Sequence, residues 1–228
     1  MQADKLFFPP VCLACNNRID SSFQILCDNC RDMLVPITEN YCEKCGGPLQ
    51  DGKCESCSTT EFCFDVARSA FVYQTPVREL IHHLKYDTLR SPAAFLARAM
   101  TGITPNSDPG RYYDYIMAVP LHHVRRRERG YNQSWIIAKK ISAELGIPHK
   151  KLVYRKNNTR SQTNLSREAR LHNLREAFVL YKGAAVAGKR IILVDDVFTT
   201  GTTANEISRL LRDNGAKEII VMTAARAV

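Results

Sequence analysis

The chain has 228 residues, 45% of them hydrophobic and 24% charged, with a formal net charge of +9. That length and composition fit a globular protein of one ordinary domain plus a small module. No apolar run approaches the roughly 18 residues of a membrane span, which excludes an integral helical membrane protein.

The opening segment, MQADKLFFPPVCLAC, holds only a short apolar patch broken by prolines. It does not read as a secretory signal, so the expected compartment is the cytosol, with no transmembrane segment. Residues 1–65 carry five Lys/Arg against ten Asp/Glu, a net of −5, and residues 66–228 carry 27 against 13, a net of +14. A body this basic suits an anionic partner, either a polyphosphate, a nucleic acid or both. A solvated basic surface is the plainer alternative.

All nine cysteines precede residue 64, and eight form Cys-x-x-Cys pairs: Cys12/Cys15, Cys27/Cys30, Cys42/Cys45 and Cys54/Cys57. Two thiolates at that spacing on a tight turn can share one tetrahedral metal, so four pairs supply two zinc sites of four cysteines each. Gly46-Gly47-Pro48 provides a knuckle turn after the third pair. The segment has few large apolar residues, and a structural zinc supplies roughly 10–16 kcal/mol toward folding it. The rival is a disulfide framework, which needs an oxidising compartment. Only eight residues separate Cys45 from Cys54, which favours sequential pairing; a cross-braced arrangement remains open. Sites with all four positions filled are structural rather than catalytic. Cys63 reads as a small core residue at a junction near 59–65. The expected division is therefore 1–62 for a double zinc ribbon and 63–228 for the second domain.

From residue 66 onward, strands and helices alternate. Val66–Tyr73 has the alternation of a strand. Pro76 opens a helix, PVRELIHHLKYD, with Val77, Leu80, Ile81 and Leu84 on one face. A second helix runs from about Pro92 to Met100, residues 103–110 form a loop, and Tyr115–Val119 is a buried strand. The following LHHVRRRERGYNQS, residues 121–134, reads as a basic loop at a strand's carboxyl end, where α/β sheets bind ligands. Arg125, Arg126, Arg127 and Arg129 there can clamp phosphate oxygens, with a basic surface turn as the alternative. His122 and His123 receive no role. A helix then runs to about Leu145, stopped by Gly146 and Pro148. Residues 155–176 are polar with few apolar anchors, which fits a disordered segment or a functional lid. Ala177–Tyr181 is another strand.

Lys189–Glu206, KRIILVDDVFTTGTTANE, is the most informative stretch. Ile191–Val194 reads as a strand buried on both faces of a parallel sheet. Ala204, Ile207, Leu210 and Leu211 then recur at helical spacing up to Asn214-Gly215, and Ile219–Thr223 is the last strand. The Thr/Gly loop presents N–H groups and hydroxyls at a helix N-terminus, a phosphate cup with Asp195 and Asp196 at its lip. The bland reading is an acidic turn closing a core strand. The whole pattern implies an α/β fold with a mostly parallel open sheet and helices on both faces.

This stretch resembles the 5-phosphoribosyl-1-pyrophosphate (PRPP) motif of type I phosphoribosyltransferases. The resemblance implies that Asp195 and Asp196 contact the ribose hydroxyls. Thr199, Thr200, Gly201, Thr202 and Thr203 would hold the 5-phosphate, with Thr202 standing where many members have Gly. It also implies Mg2+ on the diphosphate and a closing loop at 155–176. Taken in order, the Cys-x-x-Cys pairs, LIHHLKYD, VPLHHVRRRERGYNQS, TRSQTNLSREARLHNLREAF and VDDVFTTGTT resemble the ComF/ComFC family over essentially the whole chain. That family implies a double zinc ribbon joined to a type I phosphoribosyltransferase-like domain. It implies a part in uptake or processing of single-stranded DNA during natural transformation, beside a helicase-like competence protein. It also implies a cytoplasmic location that becomes peripheral to the inner membrane through a partner. No segment identifies the acceptor.

Two readings follow. In one the chain is a phosphoribosyltransferase, a glycosyltransferase by class, with Asp195, Asp196 and Arg129 at the reacting centre. In the other it is a non-catalytic PRPP sensor whose basic surface, at Arg125–Arg129 or 150–170, holds single-stranded DNA while the acidic ribbon docks a protein.

Overall fold

A computed structural model describes residues 10–19, 24–87, 89–156 and 177–227. Its centre is a four-stranded, all-parallel sheet of order β1-β6-β5-β2. The strands are β1 (Val66–Val72), β2 (Tyr115–Ala118), β5 (Arg190–Phe198) and β6 (Glu218–Arg226). The two longest apolar runs take the two central positions, where both faces are covered.

Side chains along a strand alternate between faces, and that period divides the core in two. Ile192, Val194, Ile220 and Met222 face one side. They pack against Leu80, Ile81 and Leu84 of α3 (Val77–Tyr86), Leu96 and Met100 of α4 (Ser91–Thr101), and Ile137 and Ile141 of α7 (Gln133–Leu145). Ile191, Leu193, Ile219 and Val221 face the other side, covered by Ile207 and Leu211 of α8 (Thr202–Asp213). The expected helices on both faces are present.

The cysteine-rich head packs onto both halves of this core. It includes the short helices α1 (Asp28–Asp32) and α2 (Glu55–Thr59). Cys12, Ile19, Leu26 and Cys30 join the α3 side, while Cys45, Phe62 and Phe64 join the α8 side. Residues 35–37 bond to β1, with Ile37 N–H donating to Ala70 O (3.1 Å) and Val72 N–H to Val35 O (2.9 Å). They cover the edge of the sheet that β1 would otherwise expose.

Four readings of the sequence need correction. The basic loop at 121–134 contains a helix, α6 (His123–Arg129), capped by the His122 side chain and stopped at Gly130 with φ +74°. It buries nothing, so no apolar periodicity announces it. The 103–110 loop ends in a single turn, α5 (Pro109–Tyr112). The strand at 177–181 is β4 (Phe178–Leu180), which pairs antiparallel with the unforeseen β3 (Val153–Arg155) in a separate two-stranded sheet. The strand read at Ile191–Val194 runs further: β5 continues through Asp195 and Asp196, with Asp195 in register with Thr223. Of the polar stretch 155–176, residues 157–176 lie outside the described residues. No helix among the described residues is long and apolar enough to cross a membrane.

Candidate functional site

At the carboxyl end of β5, two acids lie side by side. Asp195 keeps partial exposure, but its carboxyl is enclosed: Oδ1 accepts from Ser134 Oγ at 2.7 Å and from the Asp196 N–H at 2.9 Å. Ser134 is placed there by α7, whose first turn is capped by Asn132 accepting from the Ser134 and Trp135 N–H groups. Burial, and then the adjacent Asp196 charge, push the Asp195 carboxyl well above the usual carboxylate range, against the lowering effect of Ser134. Asp196 is 5% exposed. Lys85 Nζ, from the end of α3, stands 2.5 Å from its Oδ2 as an ion pair without hydrogen-bond alignment.

The loop that follows is short and tight. Thr199 and Thr200 are exposed, Gly201 is buried at φ +73°, and Thr202 and Thr203 open α8. The Thr200 and Thr202 hydroxyls share a hydrogen bond of 2.8 Å, and the Thr202 N–H points at Thr200 Oγ1 at 3.4 Å. Backbone N–H groups and hydroxyls thus gather at the positive end of a 12-residue helix, suited to one phosphate. A Cβ on Gly201 would lie 2.4 Å from the Phe198 ring and 3.1 Å from Phe62. Adding that atom demands both a left-handed alanine and a displaced aromatic cluster. Gly201→Ala is therefore expected to cost about 2–4 kcal/mol in urea unfolding. An unchanged midpoint would mean that the aromatic cluster is soft.

Arg129 is placed differently from the aspartates. Its guanidinium lies over the Tyr86 ring at 5.0 Å and donates to the Tyr86 hydroxyl at 3.3 Å. The Tyr131 hydroxyl donates to Leu84 O. Segment 129–131 is thereby tied to the end of α3, next to the Lys85 that reaches Asp196. Lys85 and Ser134 are the residues that sequence reasoning missed. Both lie inside the segments LIHHLKYD and VPLHHVRRRERGYNQS, yet nothing in their local pattern marks either as a partner of an aspartate. Asn205, 6% exposed in the first turns of α8, was missed too. It accepts from Cys63 N–H at 2.7 Å and donates to Glu61 O at 3.1 Å, anchoring the helix that follows the Thr/Gly loop to the ribbon's exit.

The eight paired cysteines gather as Cys12, Cys15, Cys27, Cys30 and as Cys42, Cys45, Cys54, Cys57, with the sulfurs of each group within 4.8 Å of one another. A tetrahedral zinc with Zn–S bonds of about 2.3 Å requires sulfurs about 3.8 Å apart. Observed separations are 3.7 Å for Cys15–Cys27, 3.7 Å for Cys42–Cys57 and 3.4 Å for Cys45–Cys54. These are too long for disulfides and fit two structural zinc sites in the sequential grouping. Cys63 stands outside both groups.

A parallel sheet with a Thr/Gly loop after an acidic strand end, behind two four-cysteine knuckles, defines a zinc-ribbon protein with a phosphoribosyltransferase domain. Comparison with known families agrees: residues 3–66 match the double zinc ribbon domain and residues 131–227 the phosphoribosyl transferase domain. Competence protein F of Haemophilus influenzae is 34% identical over 97% of this chain and 99% of its own length. DNA utilization protein YhgH of Salmonella typhimurium is 34% identical over 68% of this chain and 70% of its own. Competence protein ComFC of Streptococcus pneumoniae is 26% identical over 88% of this chain and 87% of its own. The chain belongs to the ComF family.

Proposed function

We propose that this chain binds PRPP with Mg2+ and acts on single-stranded DNA during uptake or processing in natural transformation. The carrying observation is the enclosed Asp195–Asp196 pair running directly into a helix N-terminal Thr/Gly loop. In this reading the acids hold the ribose hydroxyls, and Thr199, Thr200, Gly201, Thr202 and Thr203 hold the 5-phosphate. The chain divides near residue 62, with the ribbon as a docking module for a helicase-like competence protein. That partner would bring a cytoplasmic protein to the inner membrane.

As an enzyme, the chain would let an acceptor form a bond to C1 of the ribose while the C1–O bond to diphosphate breaks, the electron pair leaving on the diphosphate. Positive charge develops on the ring and negative charge on the leaving group. Mg2+ bound to the diphosphate would neutralise part of the latter, with Arg129 as the candidate cation from the chain. The second reading, a PRPP sensor without turnover, is favoured by one observation: Arg129 is already engaged with Tyr86.

The test is calorimetric titration of the zinc-loaded protein with PRPP and Mg2+, followed by assay of pyrophosphate release over bases and single-stranded DNA. Micromolar binding is expected. Absence of binding would end the PRPP reading, and binding without release for any acceptor would favour the sensor.

A further inference from the structure

A cavity of 470 Å3 has neither the aspartates nor the Thr/Gly loop among its lining residues. It opens at the carboxyl end of β2, between α6, the first turns of α7 and the paired strands β3 and β4. Residues 148–150 run beside β2, with Lys150 N–H donating to Ile116 O at 2.9 Å, and this brings two lysines to the cavity's rim. Among the described residues, Arg126, Lys150, Lys151 and Arg155 line it and no carboxylate does.

Its other lining is aromatic. Tyr154 of β3 and Tyr181, just past β4, are 36% and 44% exposed, their rings 4.9 Å apart. Trp135 is half-buried, backed by His149 at 3.9 Å, with Lys151 Nζ 4.8 Å from its ring centre. Two buried nitrogens at this site, His123 Nδ1 and Arg155 Nε, have no hydrogen-bond partner among the described residues. Cations without counter-charges, and an Arg155 Nε–H without an acceptor, suit phosphate. Exposed aromatic faces add nothing to phosphate binding but suit bases, which stack on them whatever their sequence. The volume falls within the range of small-ligand sites.

We infer that this cleft holds a nucleotide of single-stranded DNA, its base against the aromatic faces and its phosphates on Arg126, Lys150, Lys151 and Arg155. The inference deepens the DNA part of the proposed function and is independent of PRPP binding.

Trp135 is the only tryptophan in the chain, so the site carries its own reporter. Titration with an oligo(dT) of roughly ten nucleotides should quench its fluorescence saturably, and added salt should weaken the binding. Tyr154→Ser/Tyr181→Ser should lower affinity about tenfold or more. Lys150→Glu/Lys151→Glu should lower it further and flatten the salt dependence. All four positions are exposed, so melting temperatures should not move. A parallel titration with thymidine monophosphate separates the sources of the nucleotide: far tighter binding of the oligomer points to a strand, equal binding to a free nucleotide. Asp195→Asn/Asp196→Asn should leave the quench intact, so failure of the PRPP reading and failure of this one are distinguishable. No quench by either nucleotide, quench indifferent to the tyrosine and lysine changes, or an equal response to pyrophosphate alone would overturn the inference.

Discussion

Asp195→Asn is expected to stabilise the fold at neutral pH, Asp196→Asn to destabilise it, and both to remove PRPP binding. The opposite signs come from what each carboxylate meets. Asp195 is enclosed beside a second acid, and its pKa is raised by burial and by the Asp196 charge. A carboxyl group with a raised folded pKa destabilises the native state as pH climbs above its unfolded value of about 3.9, because the fold resists ionisation. That cost is absent below about pH 4 and grows toward neutrality. Asparagine removes it and still accepts hydrogen bonds from Ser134 Oγ and the Asp196 N–H. The expected gain is about 1–2 kcal/mol at pH 7, vanishing near pH 4. Asp196, by contrast, is buried against Lys85, whose side chain is 18% exposed. Neutralising it leaves a largely buried ammonium without its counter-ion, at a cost of about 2–4 kcal/mol. Thermal melts at pH 7 and pH 4.5, beside PRPP calorimetry, measure both effects. Loss of stability on Asp195→Asn at pH 7 would mean the carboxylate is engaged rather than strained. Unchanged PRPP affinity in both variants would make the pair a structural feature of β5.

The parts legible in the sequence are those whose chemistry is local. Cys-x-x-Cys pairs announce a metal because both ligands sit on one turn; the spacing of Cys42 to Cys57 only favours the sequential grouping, which the clustered sulfurs show. Ile191–Val194 and Ile219–Thr223 announce central strands because both faces are covered. Helix α6 was illegible because a helix that buries nothing leaves no periodicity; only Gly130 marked its end. The short strand β3 was missed because three residues carry no period, and its pairing with β4 is a tertiary fact. Lys85 and Ser134 reach the aspartates only after α3 and α7 dock on the sheet, so distance along the chain conceals them. Asn205 has the same history: its partners, Glu61 and Cys63, are more than 140 positions away.

Removing metal from the second cysteine cluster is expected to weaken PRPP binding at least tenfold, whereas disturbing the first cluster at Cys15 should spare it. The second cluster is built into the wall behind the Thr/Gly loop. The carbonyl of Cys45 accepts from Arg226 Nη1 at 2.8 Å, and that guanidinium, only 2% exposed, lies 4.4 Å from the Phe198 ring centre. Phe198 in turn packs against Phe62 and Phe64, and its ring presses on Gly201 of the loop. Lys44 O accepts from Ala67 N–H at 2.8 Å, fastening the same knuckle to β1. Without zinc the knuckle loses the binding energy that folds it, and Arg226 loses the acceptor that holds it over Phe198. Cys15 is exposed, and its cluster joins the opposite face of the sheet through Cys12, Cys30 and Leu26. The comparison is Cys54→Ser/Cys57→Ser against Cys15→Ser, with zinc content, PRPP calorimetry and amide hydrogen exchange over residues 199–205 as readouts. Arg226→Met isolates the link, because it keeps every zinc ligand and leaves Cys45 O unpaired. It should cost about 1–3 kcal/mol in stability and speed exchange in the loop with zinc still bound. If residues 199–205 stay equally protected in Cys54→Ser/Cys57→Ser and in Arg226→Met, the phosphate loop holds its shape without the ribbon and the coupling does not exist.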